Sequence, residues 1–280
     1  MPGNQQSSNS KQDVIDKWIE KGVSEQVALQ LIAKNINPDT DFETKYLNEL
    51  NLALADLPNL AIDSKTRIEQ AYRFSYKQHL YNPKEAGFAV RKGGKPSKND
   101  ESVPDEGLLY ISHPVAVAAE IISQYPNHEH IVDLTVAALL HDVLEDTNFD
   151  AGQYEQFLGI VQSETSLSYK LVDGATKIDG NKAATFEKIS EFTSQYSSLA
   201  ILKGADRWHN MLTVAELGEQ KGRVMCNENK LFFIPLLEQY NVPFFADEIE
   251  RMGNEYLESL EPIREVKFES SVPLYEVKFQ

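Results

Sequence analysis

Cysteine is nearly absent: Cys226 stands alone in 280 residues. That excludes an internal disulfide framework and any thiolate-rich zinc or iron–sulfur site, so a metal here has to be held by nitrogen and oxygen. Long apolar runs are missing too, and none approaches the length of a membrane span. The opening MPGNQQSSNS lacks the basic start and apolar stretch of a secretory signal, and it reads as a disordered tail on a cytoplasmic protein. Positive charge is in deficit, with 27 Lys and Arg against 43 Asp and Glu and a formal net charge of −16. Duplex binding draws most of its affinity from phosphate neutralisation, so nucleic acid is not an expected partner, and neither is a membrane. The sign reverses locally, where Arg91, Lys92, Lys95 and Lys98 crowd one glycine-rich segment. A small phosphorylated ligand and a plain solvated loop are the two readings of that segment.

What is present is helical periodicity, which predicts an all-α chain. Residues 11–34 suggest two short helices broken at Gly22, and 41–56 a third. The segment 66–80 places Ile68, Ala71, Tyr72 and Ser75 on one side, the pattern of a helix packed on a core. Residues 81–107, rich in Pro, Gly, Lys and Asn, form a long loop. Pro114 suits a first helical position, which puts His113 at a helix entrance. Further helices are expected at 130–146, 151–158, 163–172, 183–196, 198–217, 227–240 and 246–260, with Pro235 kinking or breaking the penultimate one. Near the terminus, Glu265-Val266-Lys267-Phe268 and Glu276-Val277-Lys278-Phe279 repeat an alternating tetrapeptide across a turn, which suggests a short β-hairpin.

Two polar clusters interrupt apolar helices. The first is His141-Asp142-Val143-Leu144-Glu145-Asp146-Thr147, which follows the apolar run Leu134 to Leu140. On one continuous helix, His141, Asp142, Glu145 and Asp146 fall at about 0°, 100°, 40° and 140°, a single sector. Four ionisable groups there are costly to desolvate without a partner, and a bound cation is the natural one. In the second cluster Asp206, His209, Asn210 and Thr213 fall at about 0°, −60°, 40° and −20°. Either cluster alone has the ordinary explanation of a polar side turned to solvent. Both together, with a histidine at a helix entrance, point to a site.

In order along the chain, Arg91-Lys92-Gly93-Gly94-Lys95-Pro96, Tyr110-Ile111-Ser112-His113-Pro114, the His141 to Thr147 segment, Val172-Asp173-Gly174-Ala175-Thr176-Lys177 and Ala205-Asp206-Arg207 through His209-Asn210-Met211 resemble the HD-domain hydrolases of the RelA/SpoT type. That family degrades the alarmone nucleotides (p)ppGpp. The resemblance covers about residues 66–215 and implies an HD-domain helical bundle. It implies that His113, His141, Asp142 and Asp206 bind one divalent cation, taken as Mn²⁺, a nitrogen and oxygen set suited to a first-row ion. It implies that Glu145 and Asp146 orient or deprotonate the attacking water. Arg91 is then implied on the base or phosphates, Lys92 and Lys177 on phosphates, and Asn210 and Thr213 on sugar or phosphate. Arg207 is expected to support the fold through a carboxylate, His209 to be a hydrogen-bonded neighbour of the ligands, and Trp208 to be core.

The chain departs from the family pattern at two places. The stretch Tyr81 to Val90 separates His79 from Arg91, and residues 97–109 separate the basic loop from Tyr110, where the two are usually almost contiguous. The resulting organisation is a disordered tail (1–10), an N-terminal helical extension (11–60), an HD hydrolase core (61–220), and C-terminal helices with a hairpin packed on the core (221–280). This is expected to be a stand-alone small alarmone hydrolase, with the extensions capping the core, shaping the pocket rim or mediating self-association as a homo-oligomer. The expected activity is Mn²⁺-dependent removal of the 3′-pyrophosphate from (p)ppGpp or (p)ppApp. The alternatives are an HD phosphohydrolase of another nucleotide, such as the 2′-phosphate of NADPH, and a noncatalytic alarmone-binding or antitoxin protein.

Overall fold

A computed structural model describes residues 11–20, 28–29, 41, 43–57, 59–80, 109–146 and 151–260. They are all-α, with no strand among the described residues, consistent with an HD-domain helical bundle. The helices are α1 (Lys11–Glu20), α2 (Glu43–Leu54), α3 (Ile62–Leu80), α4 (Ser112–Gln124), α5 (Ile131–Leu140), the single turn α6 (Val143–Asp146), α7 (Ala151–Val161), α8 (Leu167–Ala175), α9 (Lys182–Gln195), α10 (Ser198–Met211), α11 (Glu219–Glu228), α12 (Ile234–Gln239) and α13 (Pro243–Ser259). No helix among the described residues is long and apolar enough to cross a membrane. The proposed tail (1–10) and hairpin (265–279) lie outside the described residues, as does most of the second helix expected before residue 34.

Helix α5 is the centre of the bundle, because IVDLTVAALL is apolar nearly all round and has to be enclosed. It packs against α3, α4 and α8. Its two polar side chains are satisfied: Asp133 accepts from Arg67 at 3.0 Å and from Ser168 at 2.7 Å, and the Thr135 hydroxyl donates to the Ile131 carbonyl at 2.7 Å. Helix α10 lies against α4, α8 and α13. At its middle, Gly204 permits close approach: a Cβ there would meet Phe245 at 2.9 Å and Leu237 at 3.0 Å. The glycine before Asp206 is thus a packing residue.

Three expected helices end differently, and two of the differences shape the site. The helix anticipated over 130–146 stops at Leu140, and His141 and Asp142 form a turn before α6. There the Glu145 amide donates to the Asp142 carbonyl at 3.1 Å, while His141 Nδ1 reaches the Ala138 carbonyl at 2.7 Å, a side-chain bond that competes with helical continuation. The continuous-helix angles therefore do not apply to Glu145 and Asp146. The helix anticipated over 198–217 ends at Met211, and Thr213 (φ −118°, ψ 20°) caps a 3₁₀ turn, Val214–Leu217. Pro235 does not interrupt the helical turns: they run without a gap from Glu219 to Gln239, widening into a π turn, Asn229–Phe233, just before α12 starts with its proline in the first turn.

Candidate metal centre

Three elements bring the polar clusters together. His113 enters from the first turn of α4, His141 and Asp142 from the turn after α5, and Asp206 from α10. Both histidines are only 2% exposed. His113, His141 and Asp142 offer ligand atoms that all lie within 4.8 Å of one another. Asp142 Oδ2 is 3.5 Å from His113 Nε2 and 3.2 Å from His141 Nε2; Asp206 Oδ1 is 3.3 Å and 3.7 Å from the same two nitrogens. Neighbouring donors around one ion with bonds of about 2.1 Å stand roughly 3.0–3.4 Å apart, so the spacing suits a shared cation. His141 Nε2 is buried with no hydrogen-bond partner, a polar atom the fold leaves unsatisfied. The residues present fit a divalent metal.

The electrostatics show the same demand for positive charge. Burial alone pushes the His141 imidazole down, yet Asp142 and then Asp206 overcome it and hold its pKa up at about 10. A proton thus stands in where a cation is wanted. Burial likewise works against ionised carboxylates, but His141 and His113 hold Asp142 well below the usual range, and Lys203 with the two histidines does the same for Asp206. His113 shifts the other way, because burial outweighs its acidic neighbours.

Around these atoms stands a ring of orienting groups. Asp142 Oδ2 accepts from the Tyr110 hydroxyl at 2.5 Å. Asp206 Oδ2 accepts from the buried Lys203 ammonium at 2.8 Å, and its Oδ1 accepts from Asn210 Nδ2 at 2.7 Å. His113 Nδ1 faces His209 Nδ1 at 2.9 Å. Glu145 is clamped by one residue: the Lys177 amide donates to Oε1 at 2.6 Å and its ammonium to Oε2 at 2.7 Å.

No family model matches the chain. Individual proteins do. A guanosine-3′,5′-bis(diphosphate) 3′-pyrophosphohydrolase of Haemophilus influenzae is 33% identical over 155 residues, 52% of this chain and 21% of that protein. The bifunctional (p)ppGpp synthase/hydrolase SpoT of Escherichia coli is 33% identical over 159 residues, 54% of this chain and 21% of its own. A guanosine-3′,5′-bis(diphosphate) 3′-pyrophosphohydrolase of Aquifex aeolicus is 29% identical over 216 residues, 75% of this chain and 27% of its own. The matched part of this chain is homologous to the hydrolase region of RelA/SpoT (p)ppGpp hydrolases. It spans about a fifth to a quarter of the length of these relatives.

Within this site the sequence-based assignments divide. His113, His141, Asp142 and Asp206 converge. Asn210 sits beside them but is turned onto Asp206. Thr213 lies beyond the helix end, its hydroxyl only 3.5 Å from the Asn210 carbonyl. Lys177 is turned onto Glu145. Arg91, Lys92 and the side chain of Asp146 lie outside the described residues. Arg207 takes the supporting place expected of it, stacked 3.9 Å over the Phe233 ring and 3.6 Å from Glu228. Trp208 packs against the core. His128 and His130 lie away from these residues in a turn, with His130 exposed.

Sequence reasoning missed three residues. Lys203 had a signal, a cation three positions before Asp206 on an otherwise apolar helix side. The Tyr110 hydroxyl had none, because its partner lies far along the chain. His79, unassigned from sequence, is buried with its ring 4.7 Å from that of Tyr110, and its Nε2 has no partner. Burial, assisted by the nearby His141 and His113 and opposed by Asp142, lowers its pKa to about 4.

Because the fold depresses that pKa, His79 contributes stability that is present above about pH 6.5 and is lost as pH falls toward about 4. Between pH 7.5 and pH 5 the loss amounts to about 2 kcal/mol. His79→Phe keeps a ring against Tyr110 without a titrating group, so its urea midpoint should fall less across that interval than the wild type's. Equal acid sensitivity in the two proteins would count against this account.

Proposed function

We propose that this chain is a metal-dependent hydrolase that removes the 3′-pyrophosphate of an alarmone, (p)ppGpp or (p)ppApp, releasing pyrophosphate and GDP or GTP, or ADP or ATP. The observation that carries the reading is the buried convergence of His113, His141 and Asp142, with Asp206 beside them, in a segment homologous to (p)ppGpp hydrolases. His113 Nε2, His141 Nε2, Asp142 Oδ2 and Asp206 Oδ1 would hold the cation, with Mn²⁺ the first choice for this nitrogen and oxygen set. When bound, such an ion lowers the pKa of a water and polarises a phosphoryl oxygen.

The remaining steps fall to side chains. Tyr110, Lys203 and Asn210 fix the ligand carboxylates before substrate arrives, so the site is organised rather than assembled on binding. Glu145 is the acceptor for the proton of the attacking water, with Asp146 as its partner. The Lys177 amide orients the Glu145 carboxylate, while the exposed Lys177 ammonium can exchange it for a substrate phosphate. Arg91 is assigned to the base or phosphates and Lys92 to a phosphate, with Asn210 and Thr213 nearest the sugar. Arginine suits its task because its planar cation both stacks and forks.

The test is a nucleotide panel of ppGpp, ppApp and NADPH, incubated with added Mn²⁺ and again after chelation. Pyrophosphate release from at least one alarmone that stops on chelation is expected. No release from either alarmone would sink the proposal, and phosphate release from NADPH alone would move the chain to another substrate of the same chemistry.

A further inference from the structure

We propose that His209 is the positioning residue that sets the tautomer of His113, so that the one proton held between the two rings decides whether the His113 Nε2 lone pair is offered to a metal ion. The inference rests on the reading of the cluster as a metal site. The two Nδ1 atoms are 2.9 Å apart, with ring centroids at 4.8 Å. A neutral imidazole has one donor and one acceptor nitrogen, so this contact needs the two rings in opposite tautomers. With the proton on His113 Nδ1, His209 accepts it, and His113 turns a bare Nε2 toward Asp142 Oδ2 and Asp206 Oδ1. With the proton on His209 Nδ1, His113 carries its own proton on Nε2 and donates it to Asp206, which closes that ligand position.

His141 has no such choice. Its Nδ1 meets the Ala138 carbonyl, which only accepts, so Nδ1 keeps a proton and Nε2 is the nitrogen left to face the two carboxylates or a metal ion. The orientation of one ligand is therefore fixed by the backbone, and the tautomer of the other is set by a neighbour that shares α10 with Asp206, three residues along. Conversion from the closed to the open form balances. The shared proton passes from His209 Nδ1 to His113 Nδ1, the one on His113 Nε2 leaves to solvent, and His209 Nε2 takes one up, so both rings end neutral.

Substitutions at His209 separate acceptor from filler. His209→Leu removes the acceptor, whereas His209→Asn sets an amide oxygen where Nδ1 was. In the full chain, Mn²⁺ affinity read from the electron paramagnetic resonance of the free ion should fall about 10- to 100-fold in His209→Leu. It should return to within a few-fold of wild type in His209→Asn. In the wild type, imidazole ¹⁵N shifts should place the His113 proton on Nε2 in the metal-free protein and on Nδ1 with Zn²⁺ as a diamagnetic probe. If His209→Leu does not fold, His209→Gln, whose amide lies at the position of the other ring nitrogen, serves as the disrupted variant. Wild-type affinity in the disrupted variant, or no recovery in His209→Asn, overturns the inference. Wild-type protein that binds neither Mn²⁺ nor Zn²⁺ overturns the metal-site reading first, and this inference with it.

Discussion

Replacing Asp142 with Ala is expected to abolish Mn²⁺ binding at the His113, His141 and Asp142 group and to cut alarmone turnover by at least about a thousandfold. Asp142 is the one side chain whose single oxygen faces both histidines and also takes the Tyr110 hydroxyl. Removing one partner of a buried ion pair commonly costs several kcal/mol because the other charge is stranded. Here the stranded partner is His141, which can shed its proton, so the metal-free fold should lose much less.

The pH dependence gives that statement a sign. In the wild type the raised His141 pKa contributes stability fully present below about pH 6.5 and lost as pH rises through about 10. The variant keeps only the smaller share that Asp206 supplies, so the two metal-free stability curves should draw together at alkaline pH. Thermal melts with and without Mn²⁺, beside ppGpp turnover, check all three expectations. An inactive variant that Mn²⁺ still stabilises would put the ion elsewhere, and turnover within tenfold of wild type would take Asp142 out of the centre.

The metal-type group was legible in the sequence because each member carried a local signal. His113 preceded a proline that marks the first turn of a helix, which begins at Ser112; His141 and Asp142 closed an apolar run, and Asp206 broke another. Helix existence was legible for the same reason, since burial imposes its period on the apolar residues. Helix ends were not. The break after Leu140 depends on the His141 ring taking a backbone carbonyl, a choice that local propensity does not encode. The ring of orienting groups was hidden for a different reason. Tyr110 with Asp142 and Lys177 with Glu145 are partners only in the folded chain, and each side chain taken alone looks ordinary. Lys177 shows the effect most clearly: the same ammonium that suits a phosphate suits the nearest carboxylate, and which it holds depends on what else is bound.

Lys203→Met is expected to destabilise the metal-free protein by about 3 kcal/mol while tightening Mn²⁺ binding by up to about a hundredfold. Lys203 is 4% exposed, and the one described partner of its ammonium is the ligand carboxylate of Asp206. Without it, Asp206 remains buried, with the Asn210 amide and the histidines as its remaining support. With a dication in place the balance reverses, because a unit positive charge about 6 Å from a doubly charged ion is worth roughly 5 kcal/mol of repulsion at an effective dielectric of about 20, only part of which survives relaxation around the site. Met fills nearly the same volume, so packing changes little. A melt that drops in chelator and recovers in Mn²⁺, together with a lower Mn²⁺ dissociation constant, is the expected pattern. Weaker metal binding would instead mean that Lys203 serves mainly to hold Asp206 Oδ1 in place. On the expected pattern, the buried lysine keeps Asp206 charged when no ion is bound and keeps the ion exchangeable when one is.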